Sequence, residues 1–314
     1  MTGISCAEGY APAVAGRLRR LADGLGEPLR GPVYDLATRP GKGMRAALVL
    51  AAGQFGKPDP VRLVRLGALV ELLHLASLLH DDVVDRAPLR RGAPTAYSAV
   101  GAGRATLAGL ACFALAGMEA ASIGGGADVL AGRAMAGLAY GELLDVERAF
   151  DVSLSIPDYL ELAERKTGDL FRLSCLLGAA EAGVPPETGQ ALGTFGAQAG
   201  VAFQILDDCL DLDAEGPGKL AGTDHMLGLF GAPALYALRA DTSGELAAML
   251  LSPSFGRHDL PAMREIVVAS GGLAAGIALA RQCYERALAS LAGLAEGPSQ
   301  ALAEVFAQMW QDLT

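Results

Sequence analysis

The chain has 314 residues, of which 52% are hydrophobic and only 5% aromatic, and its formal net charge is −10. A negative charge of this size argues against binding to nucleic acid, because such binding depends on basic side chains that contact phosphates. Alanine, leucine and glycine supply most of the apolar content, and this balance favours helices over sheets.

The cysteines and the N-terminal sequence predict a cytoplasmic protein. The five cysteines are scattered and form no C-x-x-C pair, as expected of reduced thiols that pack like small hydrophobic residues. The first twenty residues lack the apolar core of a signal peptide. The longest apolar run, ATLAGLACFALAGM at 105–118, is too short to span a bilayer, so we interpret it as a core helix and expect no transmembrane segment.

Apolar residues recur at helical spacing along nearly the whole chain, and clusters of glycine and proline separate the helical stretches. Ser155 and Asp158 form a capping pattern at the start of one predicted helix. No linker of biased composition interrupts the series, so we expect one all-α domain over residues 1–314. The predicted helices are 12–24, 43–54, 60–83, 96–121, 126–149, 156–182, 186–211, 227–240, 260–269, 272–294 and 298–312.

The segment HDDVVDRAPLRRG places three aspartates, Asp81, Asp82 and Asp85, at the end of an apolar helix. Like charges one helical turn apart destabilise a helix by roughly 0.2–0.5 kcal/mol per pair. The C-terminal end of a helix is also unfavourable for negative charge. A divalent cation would offset both costs, and hard oxygen ligands favour Mg²⁺.

The segment FQILDDCLDLD repeats the same spacing 126 residues later, with Asp207, Asp208 and Asp211 again ending an apolar helix. A single cluster of this kind is equally well explained as a solvated helix end. Two clusters with identical spacing favour a metal site instead. If the two helices face each other, six carboxylates meet at the mouth of one cavity.

Several basic side chains lie where they would accompany such a site. Mg²⁺ held by few carboxylates is usually shared with substrate phosphates, which lysine and arginine also bind. Taken singly, each of these cations is better explained as a surface charge, and only their positions relative to the aspartates favour a binding role. They are Arg90 and Arg91 after the first cluster, Lys42 and Arg45 in PGKGMR, Lys166 beside Thr167 in ERKTGDLF, and Lys219 in GPGKLAG.

From about residue 35 to residue 295, the chain resembles the trans-isoprenyl diphosphate synthases, also called polyprenyl synthetases. DDVVDRAPLRRG matches the family's first motif, FQILDDCLD matches the second, and GKGMR, KTGDLF and GKLAGTD match its basic motifs. The resemblance implies the isoprenoid synthase fold, a single large helical bundle around a deep hydrophobic cavity, and a homodimer. It also implies an enzyme that condenses isopentenyl diphosphate with an allylic diphosphate.

The resemblance also implies roles for individual residues. Asp81, Asp82, Asp85, Asp207 and Asp211 would hold Mg²⁺, three ions per active site, and Asp208 would support them. Arg90, Lys166, Thr167, Gln204 and Lys219 would lie at the allylic diphosphate. Lys42, Arg45, His74 and Arg91 would bind isopentenyl diphosphate. Arg90 and Arg91 would therefore bind different diphosphates instead of pairing with the aspartates. Asp208 and Lys166 are included among the catalytic residues together with the five metal-binding aspartates.

In the family, residues one and two turns before the first aspartate form the wall of the cavity. Here they are Leu73, Ala76 and Ser77, and Ala76 lies about 7.5 Å from Asp81 along the helix. Short-chain members often carry an aromatic residue there, so alanine predicts a product of C20 or longer. Phe113 on the following helix is a candidate for the cavity floor, with ordinary core packing as the alternative.

The chain departs from the family pattern at several positions. Gly43 and Ala46 replace an arginine and a proline, Leu110 stands where many members have aspartate, and Leu229 replaces a lysine that helps to bind the allylic diphosphate. Two other functions were considered: a terpene cyclase on the same fold, and a non-catalytic partner subunit of a heteromeric synthase. Few aromatic residues disfavour the cyclase, and six retained aspartates disfavour the inactive subunit. His225 and His258 are expected at the surface.

Overall fold

A computed structural model describes residues 4–39, 41–90, 92–212 and 222–313. The first part of the chain is helical apart from one short hairpin, in which Leu89 pairs with Pro94 and Arg90 with Ala93. Its elements are α1 (Ile4–Asp23), α2 (Arg30–Thr38), α3 (Met44–Gly53), α4 (Pro60–Val84), β1 (Leu89–Arg90), β2 (Ala93–Pro94), α5 (Ala96–Val100), α6 (Ala102–Ile123) and α7 (Ala127–Glu147).

In the second part of the chain, α8, one π-helical turn and α9 follow each other without a break. The Ser155 side chain accepts a hydrogen bond from the backbone N–H of Asp158 and so caps α8, as the sequence predicts. The elements are α8 (Ile156–Ala163), the π turn (Glu164–Gly168), α9 (Asp169–Ala182), α10 (Pro186–Asp211), α11 (Thr223–Met226), α12 (Ala232–Ala240), α13 (Glu245–Leu250), α14 (Leu260–Ala269), α15 (Gly272–Ser290) and α16 (Glu296–Leu313).

The buried side chains form two clusters that meet at α3 and α9. On α9, Phe171 and Cys175 belong to the cluster that includes α10, α12 and α15, whereas Leu170 and Leu173 belong to the cluster that includes α4 and α6. On α3, neighbouring residues are divided between the clusters in the same way. Because two helices contribute opposite faces to both clusters, the apolar core is continuous from one side of the bundle to the other.

Helix α4 carries the first aspartate motif at its C-terminal end. The Asp59 side chain accepts a hydrogen bond from the Val61 backbone N–H (2.9 Å), and Pro60 occupies the first turn, where its missing N–H costs little. The helix is held in place by a long buried face, and it ends at Asp85, whose backbone N–H donates to the Asp81 carbonyl. The motif therefore lies where a core helix reaches the surface of the bundle.

The helices predicted at 60–83, 186–211 and 260–269 are confirmed to within one residue. The prediction of one helix over 96–121 is wrong because Gly101 adopts φ 82° and ψ 163°, which separates α5 from α6. The predicted start of the helix at 227–240 is also wrong, since the corresponding helix, α12, begins only at Ala232. Helices α2 and α13 were missed because both are short, and each is held by two side chains buried in the core.

By length and composition alone, two of the described helices could cross a membrane: α4 (Pro60–Val84) and α6 (Ala102–Ile123). The bent pair α14–α15 passes the same test if the two helices are taken as one span. The length of the run 105–118 predicts that it cannot span a bilayer, but this prediction is wrong as to length, because the helix that contains the run has 22 residues. In the most apolar 18-residue stretch of each helix, 67% of the α4 stretch but only 39% of the α6 stretch is buried inside the structure. Helix α6 therefore leaves an apolar surface uncovered by its own chain.

Candidate active site

The two aspartate motifs lie at the C-terminal ends of α4 and α10, beside the C-terminal half of α7 and the π turn. Asp81 and Asp85 are half-buried, whereas Asp211 is only 3% exposed. Burial raises the pKa of Asp85 to about 6; Lys166 opposes this shift, and Asp81 adds to it. The first motif therefore concentrates carboxylates where water solvates them poorly.

Asp82 faces away from its two motif partners and pairs with Arg90. The Arg90 Nε donates to the Asp82 Oδ1 at 2.6 Å, and Asp82 is 2% exposed. Burial raises the pKa of Asp82, although the Arg90 guanidinium acts in the opposite direction. The expectation that Arg90 would not pair with the aspartates is therefore wrong for this structure. Asp82 also lines a second cavity of about 360 Å³, between α2, the end of α4 and the hairpin.

Lys166 lies on the π turn and points at carboxylates of two helices. Its ammonium forms an ion pair with Asp145 and approaches the Glu142 Oε2 at 4.0 Å, both on α7. Burial disfavours the charge of Lys166, but Asp145, Asp81 and Glu142 together raise its pKa. Glu142 also shares a hydrogen bond with Asp81. Burial is the main cause that raises the pKa of Glu142, and the negative charge of Asp81 is the second.

Glu142 and Asp145 were missed by the sequence analysis. Their spacing of three residues places them on one face of α7, and that periodicity was the available signal. Only the packing of α7 against the π turn reveals that this face points at Lys166 instead of solvent.

A chain of hydrogen bonds connects the π turn to the second motif. The Thr167 hydroxyl donates to the Gln204 Oε1 at 2.6 Å, and the Gln204 Nε2 donates to the Asp208 Oδ1 at 2.9 Å. The Tyr159 hydroxyl donates to the Asp208 Oδ2 at 2.6 Å. Burial raises the pKa of Asp208 to about 7 despite these two donors. Tyr159 was not predicted, and it fixes Asp208 from the side opposite to Gln204.

The predicted isopentenyl diphosphate residues lie at the start of α3 and on the neighbouring face of α4. Gly43 adopts φ 61°, and the backbone N–H of Ala46 donates to the Glu71 Oε1 at 3.1 Å, which ties the two helices together. The Arg45 guanidinium lies 5.2 Å from the centre of the Phe171 ring. Lys42 is exposed, and His74 is half-buried one turn beyond Glu71.

Two predicted residues, Arg91 and Lys219, lie outside the described residues. Their roles stay predictions that rest on the sequence motifs.

The predicted chain-length residues lie one and two turns before the first motif. Leu73 and Ala76 are fully buried in the core, and the Ser77 hydroxyl donates to the His74 carbonyl at 2.9 Å. Phe113 of α6 stacks on His80, with ring centres 5.6 Å apart and planes at 16°. Phe113 thus contacts the residue directly before Asp81. The sequence did not predict this contact.

A cavity of about 70 Å³ borders the second motif and the π turn. This volume is well below the roughly 300–1,000 Å³ of ordinary small-molecule sites. The prediction that His225 lies at the surface is wrong, because it is 3% exposed and lines this cavity. The lining residues include Asp145, Arg148, Tyr159, Lys166, Gln204, Asp208, Asp211, Asp224, His225 and Leu229.

The donor set fits a hard divalent cation that is shared with phosphates. Within the described residues, no group of three or more histidine, cysteine or acidic side chains is arranged as a complete metal site. However, the hydrogen bond between Glu142 and Asp81 shows that carboxyl groups lie close together here, and burial raises the pKa values of Asp85 and Asp208. Carboxylate oxygens are suitable Mg²⁺ ligands, and phosphate oxygens complete such sites.

The fold and the site together define a class: an all-α bundle in which a half-buried lysine interacts with the first aspartate motif and lines a cavity with residues of the second. Comparison with known proteins agrees. Residues 27–266 match the family model for polyprenyl synthetase, and the chain belongs to this family.

Three similar proteins illustrate the relationship. A nonaprenyl diphosphate synthase of Mycobacterium tuberculosis is 34% identical over 265 residues, which cover 83% of this chain and 79% of that protein. Component 2 of a heptaprenyl diphosphate synthase of Geobacillus stearothermophilus is 32% identical, with 90% of this chain and 89% of that protein covered. A crystal structure of a polyprenyl synthase from Caulobacter crescentus, complexed with calcium and isoprenyl diphosphate, has a TM-score of 0.86 at 30% identity and covers 97% of this chain and 94% of that one.

Proposed function

We propose that this protein is a trans-polyprenyl diphosphate synthase that condenses isopentenyl diphosphate with an allylic diphosphate in the presence of Mg²⁺. The observation that carries the proposal is the position of Lys166 between the two motifs: its charge interacts with Asp81 of the first, and it lines a cavity with Asp208 and Asp211 of the second. We further propose three Mg²⁺ ions per active site, held by Asp81, Asp85, Asp207 and Asp211 and assisted by Asp82. The calcium in the Caulobacter structure supports a divalent cation in the family.

The reaction begins when the C–O bond of the allylic diphosphate breaks, with both bonding electrons leaving on the diphosphate. Bound Mg²⁺ would supply most of the positive charge that stabilises this leaving group. Lys166 is the protein cation best placed to assist, because Asp145 and Glu142 keep it protonated and hold it beside the first motif. Asp208 stays in position through Tyr159 and Gln204 and supports the second motif.

The allylic cation must then be kept from water. The segments of α4 and α10 that precede the two motifs are mostly apolar and would supply walls that exclude water, as the chemistry requires. The double bond of isopentenyl diphosphate attacks the cationic carbon and forms the new C–C bond. We propose that the released diphosphate removes the final proton, so that no side-chain base is needed.

We propose a linear product of C20 or longer. Ala76 supports a long product because it leaves no bulky side chain five residues before the first motif. The names of the Mycobacterium and Geobacillus relatives, nonaprenyl and heptaprenyl diphosphate synthase, support the same choice.

We propose that the enzyme acts as a homodimer through the exposed apolar faces of α6 and α7. These faces carry Leu107, Leu110, Met118, Val129, Tyr140, Leu143 and Val146, each at least 45% exposed. A second copy of the chain would cover this surface, since contiguous exposed apolar patches commonly mark protein–protein contacts. The four described cysteines are free and buried, which supports the proposed cytoplasmic location.

A second candidate function is that of one component of a two-component synthase. The name of the Geobacillus relative, component 2, favours this candidate. It differs from the first in one respect: the chain alone would not elongate any primer.

One assay separates these functions. The purified chain is incubated with Mg²⁺, labelled isopentenyl diphosphate and C5, C10, C15 or C20 allylic diphosphates, and extracted products are sized. We expect linear elongation of at least one primer, and loss of turnover in Asp81→Ala and Asp207→Ala. If the chain alone elongates none of the primers, the first function is rejected. Cyclic hydrocarbon products would indicate a cyclase.

A further inference from the structure

The segment from Gly222 to Gly231 borders the active-site cavity after the second motif. It contributes Asp224, His225 and Leu229 to the lining, and Leu229 stands where the sequence analysis expects a diphosphate-binding lysine. This side of the cavity therefore lacks the hydrogen-bond donor that the lysine would supply.

His225 is the donor that the same segment places in the cavity. It is 3% exposed, and its ring is tilted at 40° to that of Phe230, with centres 6.3 Å apart. Among the residues that the structure describes, neither its Nδ1 nor its Nε2 has a hydrogen-bond partner. A buried polar side chain without a partner is unusual in a folded protein, and such groups are concentrated at functional sites.

The state of the imidazole determines which ligand it suits. Burial lowers the pKa of His225 to about 4, so the ring is neutral at physiological pH and presents one N–H donor and one acceptor. Arg148, the other basic residue on this side, already donates to the Asp158 carbonyl (2.6 Å) and to the Glu161 Oε2 (2.9 Å). The unused N–H of His225 is therefore available to an oxygen-rich anion next to Lys166 and Gln204.

We propose that His225 binds the diphosphate of the allylic substrate through its ring N–H, in place of the lysine that Leu229 replaces. This inference rests on the proposed function, because it assigns a further contact to the same diphosphate. It makes His225 a substrate-binding residue that is particular to this chain.

The first test compares His225→Leu with the unaltered protein. Loss of a hydrogen bond to a charged group should weaken binding roughly tenfold to a hundredfold. We expect the Kd for inorganic diphosphate with Mg²⁺, measured by calorimetry, and the KM for the allylic substrate to rise by that factor, with the KM for isopentenyl diphosphate unchanged. The Tm without ligand should not fall, because leucine removes an unsatisfied polar group.

Two further variants separate binding from structure. His225→Gln keeps an N–H donor and should recover most of the lost affinity, and Leu229→Lys should recover affinity in the His225→Leu background. His258→Leu is the matched control, because the His258 side chain is 77% exposed and distant in sequence from the motifs. It should leave both binding and turnover unchanged.

A measurement on the unaltered chain avoids any effect on folding. The protein has four histidines, and their ring nitrogens are observable after ¹⁵N labelling. Addition of Mg²⁺ and inorganic diphosphate should shift the His225 signal and not the His258 signal.

An unmoved His225 signal, or a diphosphate Kd within twofold of the unaltered protein in His225→Leu, would overturn the inference. Failure of the unaltered chain to bind Mg²⁺ with diphosphate would instead overturn the proposed function itself. The two failures are therefore distinguishable.

Discussion

At the scale of single residues, the active-site carboxyls retain protons that ordinary aspartates and glutamates lose. Burial raises the pKa of Asp85 to about 6 and that of Asp208 to about 7, and Glu142 is shifted in the same direction. In the unfolded chain such groups titrate near pH 4. Between these values the folded protein binds more protons than the unfolded chain, so its stability falls as the pH rises.

The first prediction concerns this pH dependence. Without metal, the stabilising contribution of Asp85 and Asp208 is fully present below about pH 4 and is lost as the pH rises through about 6 and 7. We expect the Tm of the metal-free protein to be a few degrees higher at pH 5 than at pH 8. Mg²⁺ should raise the Tm more at pH 8, because it competes with protons for the same oxygens.

Thermal scans at both pH values, with and without Mg²⁺, measure this effect. Asp208→Asn should reduce the difference between pH 5 and pH 8, whereas Glu187→Gln, at an exposed position, should leave it unchanged. An equal Mg²⁺ effect at the two pH values would contradict the prediction.

A second prediction at this scale concerns product length. Phenylalanine at Ala76 would fill space in the predicted cavity wall, at a cost of about 1–3 kcal/mol for overpacking. We expect Ala76→Phe to shorten the product, as measured by sizing the extracted prenyl chains. Ala280→Phe is the control: Ala280 is also fully buried, but on α15, and its replacement should lower stability without changing product length.

At the scale of elements, the close approach of α7 to the π turn positions Lys166. A Cβ atom at Gly141 would lie 2.7 Å from the Lys166 backbone nitrogen and 2.9 Å from the Arg165 carbonyl carbon. Backbone atoms cannot yield as a side-chain tip does, so glycine is required at this crossing. The same close approach brings Glu142 and Asp145 within reach of the Lys166 ammonium.

The third prediction tests this crossing. Gly141→Ala should push the π turn away from α7, lower the free energy of unfolding by about 1–3 kcal/mol and reduce kcat through displacement of Lys166. Gly132→Ala, on the same helix but with no atom within 4 Å of the added Cβ, should instead be neutral or stabilising by up to about 1 kcal/mol. Denaturant unfolding measures the free energy of unfolding of both variants, and steady-state kinetics measures their kcat. Equal values for the two variants would show that the close approach of α7 to the π turn does not require glycine at 141.

At the scale of the whole molecule, the exposed apolar faces of α6 and α7 form the surface that we propose for dimerisation. Leu110, where the family often has aspartate, is 58% exposed there, and Leu143 is 49% exposed. The residues that face the active site and those that face this surface lie on different sides of α7. A dimer formed here would therefore cover the exposed leucines without using the side of α7 that holds Lys166.

The fourth prediction follows from this surface. Leu110→Glu combined with Leu143→Glu should weaken the proposed dimer at least about tenfold, since each leucine contributes about 1.5–3 kcal/mol when buried. Light scattering after size-exclusion chromatography should then report a monomer. Leu251→Glu, at another leucine that is 47% exposed, should leave the mass unchanged. A dimer that survives the double substitution would place the interface elsewhere.

The amino-acid sequence by itself determined the helical class, most long helices and the two aspartate motifs, because periodicity and short-range spacing are local properties. It did not determine the end of α5 or the start of α12, since each depends on the backbone conformation of one glycine, Gly101 with φ 82° and Gly228 with φ 77°. The tertiary structure alone decided that Asp82 pairs with Arg90, that Glu142 and Asp145 hold Lys166, and that His225 is buried in the cavity. Each of these depends on which helix faces lie against each other, and that is fixed by packing between segments far apart in the chain.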